Sequence, residues 1–97
     1  MDMSNNEFIA KLQGNIGDIL QNMWHLKLSN NNFGGSLPSS IGNMSLLYTI
    51  DVSLNNFSGE VAKEVLVGCS KLAFLVLSNN NFDGHFDSLF NFVRDIY

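Results

Sequence analysis

Apolar residues recur at every second position in three short stretches of the chain, and each stretch opens a longer unit. Leu26 and Leu28 flank Lys27, and residues 50–52 and 75–77 repeat the arrangement. A period of two is typical of a β-strand that buries one face. Apolar residues at spacings of three and four follow each stretch, which favours short α-helical or 3₁₀ turns. The pattern therefore predicts short strands that alternate with short helical segments.

The complete unit reads L-x-L-S-x-N-x-F-x-G-x-L-P and is best preserved at residues 26–38. It recurs at 50–62 and 75–87, and residues 1–13 carry a weaker copy. Its inner asparagine recurs in steps of 24 or 25 residues, at Asn6, Asn31, Asn55 and Asn80. The phenylalanine two residues later keeps the same steps, at Phe8, Phe33, Phe57 and Phe82. Because separate columns stay in register, the unit is an internal repeat of solenoid length.

Each predicted strand is followed by a return segment and then by the next strand in the same direction. Consecutive strands must therefore stack in parallel, one per repeat. We predict an α/β solenoid with a parallel inner β-sheet and an outer layer of short 3₁₀ or helical segments. It forms a single uncapped domain over 1–97, with about four repeats at approximately 1–25, 26–49, 50–74 and 75–97. The strand after residue 75 is expected near position 99, beyond Tyr97.

Two columns of the repeat have predictable roles. Backbone groups at the turn after each strand are buried without a sheet partner, and an asparagine amide can both donate to them and accept from them. The asparagines should therefore form a ladder along the solenoid. The phenylalanine rings should pack on one another behind that turn, about 4.7 to 4.9 Å apart, which is one strand spacing. Gly35, Gly59 and Gly84 mark the bend that follows.

Composition restricts the classes of function. Hydrophobic residues make up 45% of the chain and charged residues 14%, which is enough apolar material for a packed core. The net charge is −4 and provides no basic stripe for phosphate groups, so nucleic acid is not an expected partner. The amino terminus lacks the basic and apolar regions of an export signal, and no apolar run is long enough to span a membrane.

Catalytic and metal-binding patterns are missing from the sequence. It contains no G-x-S-x-G, no H-E-x-x-H and no phosphate-binding glycine loop. His25 and His85 have no cysteine or carboxylate at metal-ligand spacing, so we expect no enzyme, metal site or cofactor. Cys69 is expected to be a buried, inert thiol rather than a reactive one. Trp24 is expected to be a partly buried packing residue rather than a platform for sugars.

The repeat unit resembles the plant-specific class of leucine-rich repeats. The resemblance covers nearly the whole chain and rests on L-S-N-N-N-F-G-G-S-L-P-S-S-I-G-N-M, I-D-V-S-L-N-N-F-S-G and L-V-L-S-N-N-N-F-D-G. It points to the ectodomains of plant receptor-like proteins and receptor-like kinases. It implies a right-handed superhelix, often with a second short strand at the G-x-L-P step. It also implies a glycosylated parent receptor on the extracellular side of the plasma membrane, which binds a peptide, protein or glycan in signalling or defence and pairs with a co-receptor.

Several parts of a complete receptor of that family are not found in the sequence. They are the signal peptide, the paired-cysteine cap, the transmembrane helix and any kinase. These absences fit a fragment or a truncated gene product. Membrane attachment and signalling are therefore not expected of this chain by itself.

The strand side chains that point away from the core are the candidates for ligand contact on the concave face. They are His25, Lys27, Ser29, Thr49, Asp51, Ser53, Phe74, Val76 and Ser78. Neighbouring repeats place Lys27 beside Asp51 and Asp2 beside Lys27. These charges are either a solvated ladder worth about 0.2 to 1 kcal/mol per pair, or part of a polar binding face beside an apolar patch of Phe74 and Val76.

Two sequons provide candidate glycosylation sites, at Asn43 and Asn56. In a secreted protein both are expected to carry glycans. A glycan on Asn56, close to the inner face, would restrict where a ligand could dock.

Two functional hypotheses follow from this pattern. The first is a recognition module that binds a peptide or protein on its concave face and has no chemistry of its own. The second is a structural repeat segment without a ligand, which stacks end to end with other repeats. Uncapped ends favour the second hypothesis because solenoids need polar caps to cover their core residues.

Overall fold

A computed structural model describes residues 1–5 and 12–82, together with the backbone of 95–96. The strands are β1 His25–Lys27, β2 Gly34–Gly35, β3 Thr49–Asp51, β4 Asn56–Gly59, β5 Phe74–Val76, β6 Asn81–Phe82 and β7 Asp95–Ile96. The helical segments are α1 Ile16–Ile19, a 3₁₀ helix at Ser39–Asn43, and α2 Lys63–Gly68. Strands and short helical segments therefore alternate as the hydrophobic pattern predicts.

The inner sheet joins β1, β3, β5 and β7 in that order, and every pair is parallel. Leu26 pairs with Ile50, and Ile50 pairs with Leu75, so equivalent repeat positions lie side by side. The weak first copy joins the same sheet through a parallel bridge between Asp2 and Lys27. The predicted leucine-rich-repeat solenoid, an α/β fold with a parallel inner sheet, is confirmed.

The position of the last strand differs from the expectation. It was expected beyond the end of the chain, whereas β7 pairs Ile96 with Leu75. The step between these partners is 21 residues, against 24 from Leu26 to Ile50. Parallel pairing requires only that the strand returns in register, so a shorter connection is compatible with the same sheet.

A second parallel sheet joins β2, β4 and β6 beside the turn that follows the inner strands. Gly34 pairs with Asn56, and Ser58 pairs with Asn81. The family resemblance implied a second strand at the G-x-L-P step. The structure places it slightly earlier, over the x-F-x-G part of the unit. The outer layer is formed by α1, the 3₁₀ helix and α2, which pack side by side.

The core lies between the two layers and contains the phenylalanine column. Phe57 stacks between Phe33 and Phe82, with ring centroids 6.1 Å apart in both pairs and interplanar angles of 17° and 8°. The predicted column is present, but its spacing is larger than the expected strand spacing of about 4.8 Å. The phenylalanines of successive repeats are not direct partners in the second sheet, because Phe57 pairs with Gly35 and Phe82 pairs with Gly59. The rings are therefore diagonal neighbours, which lie further apart than one strand spacing. Phe8 lies outside the described residues.

The asparagine column satisfies the turn as predicted. Nδ2 of Asn55 donates to the carbonyl oxygens of Leu28, Val52 and Ser53 at 2.9, 3.1 and 3.0 Å. Its Oδ1 accepts the Phe33 backbone N–H at 3.1 Å. One amide thus binds its own coil and the preceding coil at the same time.

Asn80 repeats this arrangement, and Asn31 repeats its donated hydrogen bonds. Asn80 donates to Val52 and Leu77 and accepts the Phe57 backbone N–H at 2.9 Å. Nδ2 of Asn31 donates to Met3, Leu28 and Ser29. Asn6, the first member of the column, lies outside the described residues. The three described members therefore form a continuous ladder.

The residue before each inner asparagine has left-handed backbone, which the sequence pattern did not reveal. Asn30 and Asn79 have φ of 57° and 59°, and Leu54 has φ of 55° at the equivalent position. Asparagine tolerates this conformation, whereas an ordinary L-residue is strained there by about 1 to 2 kcal/mol. The Leu54 side chain is also 50% exposed, so it gains little from burial. The third repeat therefore contains a strained residue.

Replacing Leu54 by asparagine should stabilise the protein. We expect Leu54→Asn to raise the free energy of unfolding by about 1 kcal/mol because it removes the left-handed strain. The reverse change, Asn79→Leu, should lower it by a similar amount. Urea unfolding followed by circular dichroism measures both. A Leu54→Asn variant no more stable than the parent would contradict the assignment of strain.

Glycines in the outer layer allow adjacent coils to approach closely. A Cβ on Gly42 would overlap the carbonyl oxygen of Glu64, and a Cβ on Gly68 would overlap that of Gly42. Gly17 has the same relation to Ser40. The three glycines are 25 and 26 residues apart, so they form another column of the repeat. The spacing of these glycines is present in the sequence beside that of the bend glycines Gly35, Gly59 and Gly84.

Gly42→Ala should destabilise the fold. Alanine is the better helix former, but its methyl group would force the 3₁₀ helix away from α2, and such overpacking costs about 1 to 3 kcal/mol. Gly14→Ala is the matched control, because no heavy atom of the described residues lies within 4 Å of its Cβ position. Equal unfolding free energies for the two variants in urea would show that the outer layer does not require glycine.

Candidate functional site

The predicted contact residues form rows across the inner sheet. His25, Thr49 and Phe74 occupy one register position, and Lys27, Asp51 and Val76 occupy another. Ser29, Ser53 and Ser78 follow where the strands end. The solenoid thus brings together residues that are 24 or 25 positions apart in the sequence.

Exposure differs among these predicted residues. His25, Lys27 and Ser78 are exposed, while Ser29, Thr49, Asp51, Phe74 and Val76 are half-buried. Ser53 differs from the expectation, because it is 9% exposed and its hydroxyl donates to Asp51 Oδ1 at 2.7 Å. The turn draws this serine beneath the carboxylate that precedes it. Ser53 therefore supports Asp51 rather than facing solvent.

Charges alternate across the middle row, with Asp2, Lys27 and Asp51 on neighbouring strands. The carboxylates accept hydrogen bonds from serines two residues later, because Asp2 binds the Ser4 backbone N–H at 3.0 Å and Asp51 binds that of Ser53 at 3.1 Å. Hydrogen bonds from Ser4 lower the pKa of the Asp2 carboxyl below its usual value, and the charge of Lys27 adds a smaller effect in the same direction. The row therefore combines charge alternation with carboxylates held in place by local hydrogen bonds.

An aromatic row runs along the edge of the inner sheet where the strands begin. The Tyr48 ring contacts His25 edge-on at a centroid distance of 6.2 Å and Phe74 at 5.4 Å. Trp24 is 66% exposed, so the expectation of a partly buried packing residue was wrong. The sequence contained a usable signal, because Trp24 and Tyr48 occupy the same repeat position, one residue before their strands.

A groove of about 510 Å³ opens beside this aromatic row. It is lined by Trp24, His25, Leu46, Tyr48 and Lys71. Four of these residues were not among the predicted contact residues, because they precede the strands or lie in the return segments. We call this site the edge groove.

Asparagine side chains form a separate polar surface where the strands end. Asn30 donates to Asn5 Oδ1 at 2.9 Å, and Asn81 donates to Asn56 Oδ1 at 2.8 Å. These amides continue the inner face past the turn. Their mutual hydrogen bonds follow the axis of the solenoid.

Both sequon asparagines are exposed. Asn43 lies at the end of the 3₁₀ helix in the outer layer and donates to Asp18 Oδ1 at 2.6 Å. Asn56 begins β4 and accepts from Asn81. The two sequons therefore lie on different surfaces of the solenoid.

Cys69 is buried in the core, as predicted. Its thiol donates to the carbonyl oxygen of Ile41 at 3.2 Å, and burial raises its pKa from 9.0 to about 11. Such a thiol is protonated and inert at neutral pH. Within the described ranges, no group of three or more metal-ligating side chains is found, and no helix is long and apolar enough to cross a lipid bilayer.

Comparisons with known proteins agree with the repeat columns. The family described as Leucine Rich Repeat matches residues 22–44 and 71–92. Receptor-like protein 9a of Arabidopsis thaliana is 48% identical over 84 residues, which cover 87% of this chain and 9% of that protein. The chain therefore spans only a small part of this relative.

Solved receptor structures share the fold. The ectodomain of the receptor kinase GASSHO1/SCHENGEN3 from Arabidopsis thaliana, in complex with CASPARIAN STRIP INTEGRITY FACTOR 2, matches with a TM-score of 0.86 and 28% identity, over 99% of this chain and 12% of that one. The ectodomain of the Arabidopsis receptor kinase HAESA, in complex with an IDA peptide hormone, matches with a TM-score of 0.80 and 27% identity, over 84% of this chain and 14% of that one.

The in-register columns, the parallel sheets and these similarities lead to one assignment. The chain is a leucine-rich-repeat solenoid segment that is similar to the ectodomains of plant receptor-like proteins and receptor kinases.

Proposed function

We propose that the chain is a recognition module that binds a peptide or protein on its concave inner face. One observation carries this proposal: the scaffold positions of three repeats are nearly identical, whereas the outward positions between them differ. Lys27, Asp51 and Val76 occupy one row on adjacent strands and present a cation, an anion and an apolar group. A surface with such varied side chains suits one specific partner better than a general stacking contact.

Charge and apolar area have different roles on this face. Lys27 and Asp51 carry opposite charges on neighbouring strands, so they favour a ligand that lies in one orientation. Phe74 and Val76 are half-buried, and a partner that covers them removes more apolar area from water. No chemical step is part of the proposal, which is binding alone.

The parent protein is proposed to act at the cell surface. HAESA and GASSHO1/SCHENGEN3 were both solved with bound peptides or factors, and the curated relatives are receptor-like proteins. By analogy, we place this segment on the extracellular side of the plasma membrane, in a receptor that signals with a co-receptor. Glycans are proposed on Asn43 and Asn56, which are both exposed. A glycan on Asn56 would limit docking where the inner strands end.

Inner-face substitutions should abolish peptide binding. Peptides selected on the immobilised chain from a phage-displayed library of random 12-residue sequences should bind the triple variant Lys27→Gln, Asp51→Asn, Val76→Thr at least tenfold more weakly, because it loses both charges and the apolar contact. Asparagine keeps an oxygen at position 51 for the Ser53 hydrogen bonds, so the turn is preserved. Biolayer interferometry measures the affinities.

A matched control exists in the outer layer. Lys63, Glu64 and Val67 are exposed on or beside α2 and offer the same three kinds of side chain. The variant Lys63→Gln, Glu64→Gln, Val67→Thr should keep the affinity of the parent. Equal losses in both triple variants, or no peptide enriched above an albumin-coated surface, would refute inner-face recognition.

A stacking role is the second candidate, and the amino-terminal end of the core favours it. Several apolar side chains there are only partly buried against the core, namely Met1, Met3, Leu12, Ile16, Leu20 and Met23. Apolar area at the end of a solenoid can be covered by another repeat unit.

Mass in solution separates the two candidates. The recognition module should elute as a monomer of 10.8 kDa. A stacking segment should instead give dimers or longer assemblies whose mass rises with concentration. Size-exclusion chromatography with light scattering measures this, and a concentration-independent monomer rules out obligatory stacking.

A further inference from the structure

The edge groove exposes aromatic surface that the fold does not use. Trp24 is 66% exposed and Tyr48 46% exposed, although tryptophan is highly buried on average in folded proteins. Both lie on the same rim, one residue before β1 and β3. Exposed aromatic side chains that line a concavity are typical of binding sites.

The walls of the edge groove are fixed before any ligand arrives. The carbonyl oxygen of Trp24 accepts the backbone N–H groups of Tyr48 at 2.7 Å and Thr49 at 3.2 Å. The Tyr48 ring is held edge-on between His25 and Phe74. The tyrosine therefore has aromatic neighbours on both sides, and little ordering is required when a ligand binds.

The charge of the edge groove is opposite to that of the whole chain. The chain has a net charge of −4, but Lys71 lines the groove and no carboxylate does so among the described residues. The remaining lining residues are Trp24, His25, Leu46 and Tyr48, which are mostly apolar. The groove thus offers an apolar cleft with one cation at its wall.

We propose that the edge groove binds an acidic peptide segment. An aliphatic or aromatic side chain of the peptide fills the cleft, and a carboxylate next to it in the peptide pairs with Lys71. A sugar fits less well, because sugar hydroxyls need many polar groups with hydrogen-bonding capacity, and the walls are largely carbon. This inference rests on the proposed peptide recognition and extends it from the inner-face row to the rim of the sheet.

The single tryptophan of the chain makes the proposal directly measurable. Trp24 lines the edge groove, so its fluorescence reports on occupancy without an added label. The probes are the peptides acetyl-GSLDG-amide, acetyl-GSLNG-amide and acetyl-GSADG-amide at millimolar concentration. The first carries the apolar side chain and the carboxylate, and each of the others lacks one of these groups.

We expect the acidic leucine peptide to shift Trp24 emission and to bind about three- to fivefold more tightly than its asparagine form at low ionic strength. The alanine form should bind about tenfold more weakly than the leucine form, because it buries three fewer carbon atoms. Lys71→Gln should erase the preference for the carboxylate and leave the asparagine peptide unaffected. Lys63→Gln, which removes an exposed lysine from the outer layer, should retain the preference.

Three results would overturn the proposal. They are equal binding of the acidic and asparagine peptides, a preference for the acid that survives in Lys71→Gln, and a shift of Trp24 emission by cellohexaose but by none of the peptides. If any of these occurs while the inner-face triple variant still loses its selected peptides, the edge groove is refuted and the proposed function stands. Circular dichroism of each variant confirms that the fold is intact.

Discussion

The amides of the asparagine column connect one coil of this solenoid to the next. Each described inner strand from β1 to β5 is followed by a turn in which carbonyl oxygens such as those of Leu28 and Val52 accept hydrogen bonds from asparagine amides. The Asn55 side chain donates three hydrogen bonds to backbone carbonyl oxygens and accepts one from a backbone N–H, and these partners belong to two adjacent coils. An unsatisfied buried polar group costs about 1 to 3 kcal/mol of folding free energy. An apolar residue in place of Asn55 would therefore leave unsatisfied groups in both coils. The parallel register of the strands depends on this shared interaction.

Much of the scaffold could be predicted from the sequence because the same buried positions recur in every repeat. The asparagine, phenylalanine and leucine columns each correspond to a buried position, and burial restricts which residue types can occupy it. The rest depended on local geometry that periodicity does not encode. The register of the second sheet places Phe57 diagonally to its ring neighbours at 6.1 Å, and a shorter sequence interval between Leu75 and Ile96 places β7 within the chain.

The candidate site was only partly predictable for a related reason. Strand alternation identified Lys27, Asp51 and Val76 as candidates for ligand contact, because successive side chains of a strand point to opposite faces of the sheet. Ser53 was misjudged because it lies past the strand, where the turn directs it beneath Asp51. The edge groove was missed because Trp24 precedes its strand and because its wall includes Lys71 from a return segment. Sites that combine strand and loop residues need the actual path of the backbone.

Uniform strand spacing limits how a ligand can lie on the inner face. The strands are parallel and in register, and neighbours in such a sheet are about 4.8 Å apart. An extended peptide advances about 3.3 Å per residue, so three of its residues span roughly the same length as two strand intervals. A peptide that crosses the strands therefore cannot match one residue to each coil. The two lattices coincide only at every third residue, and recognition by a longer ligand would have its anchor points at that interval.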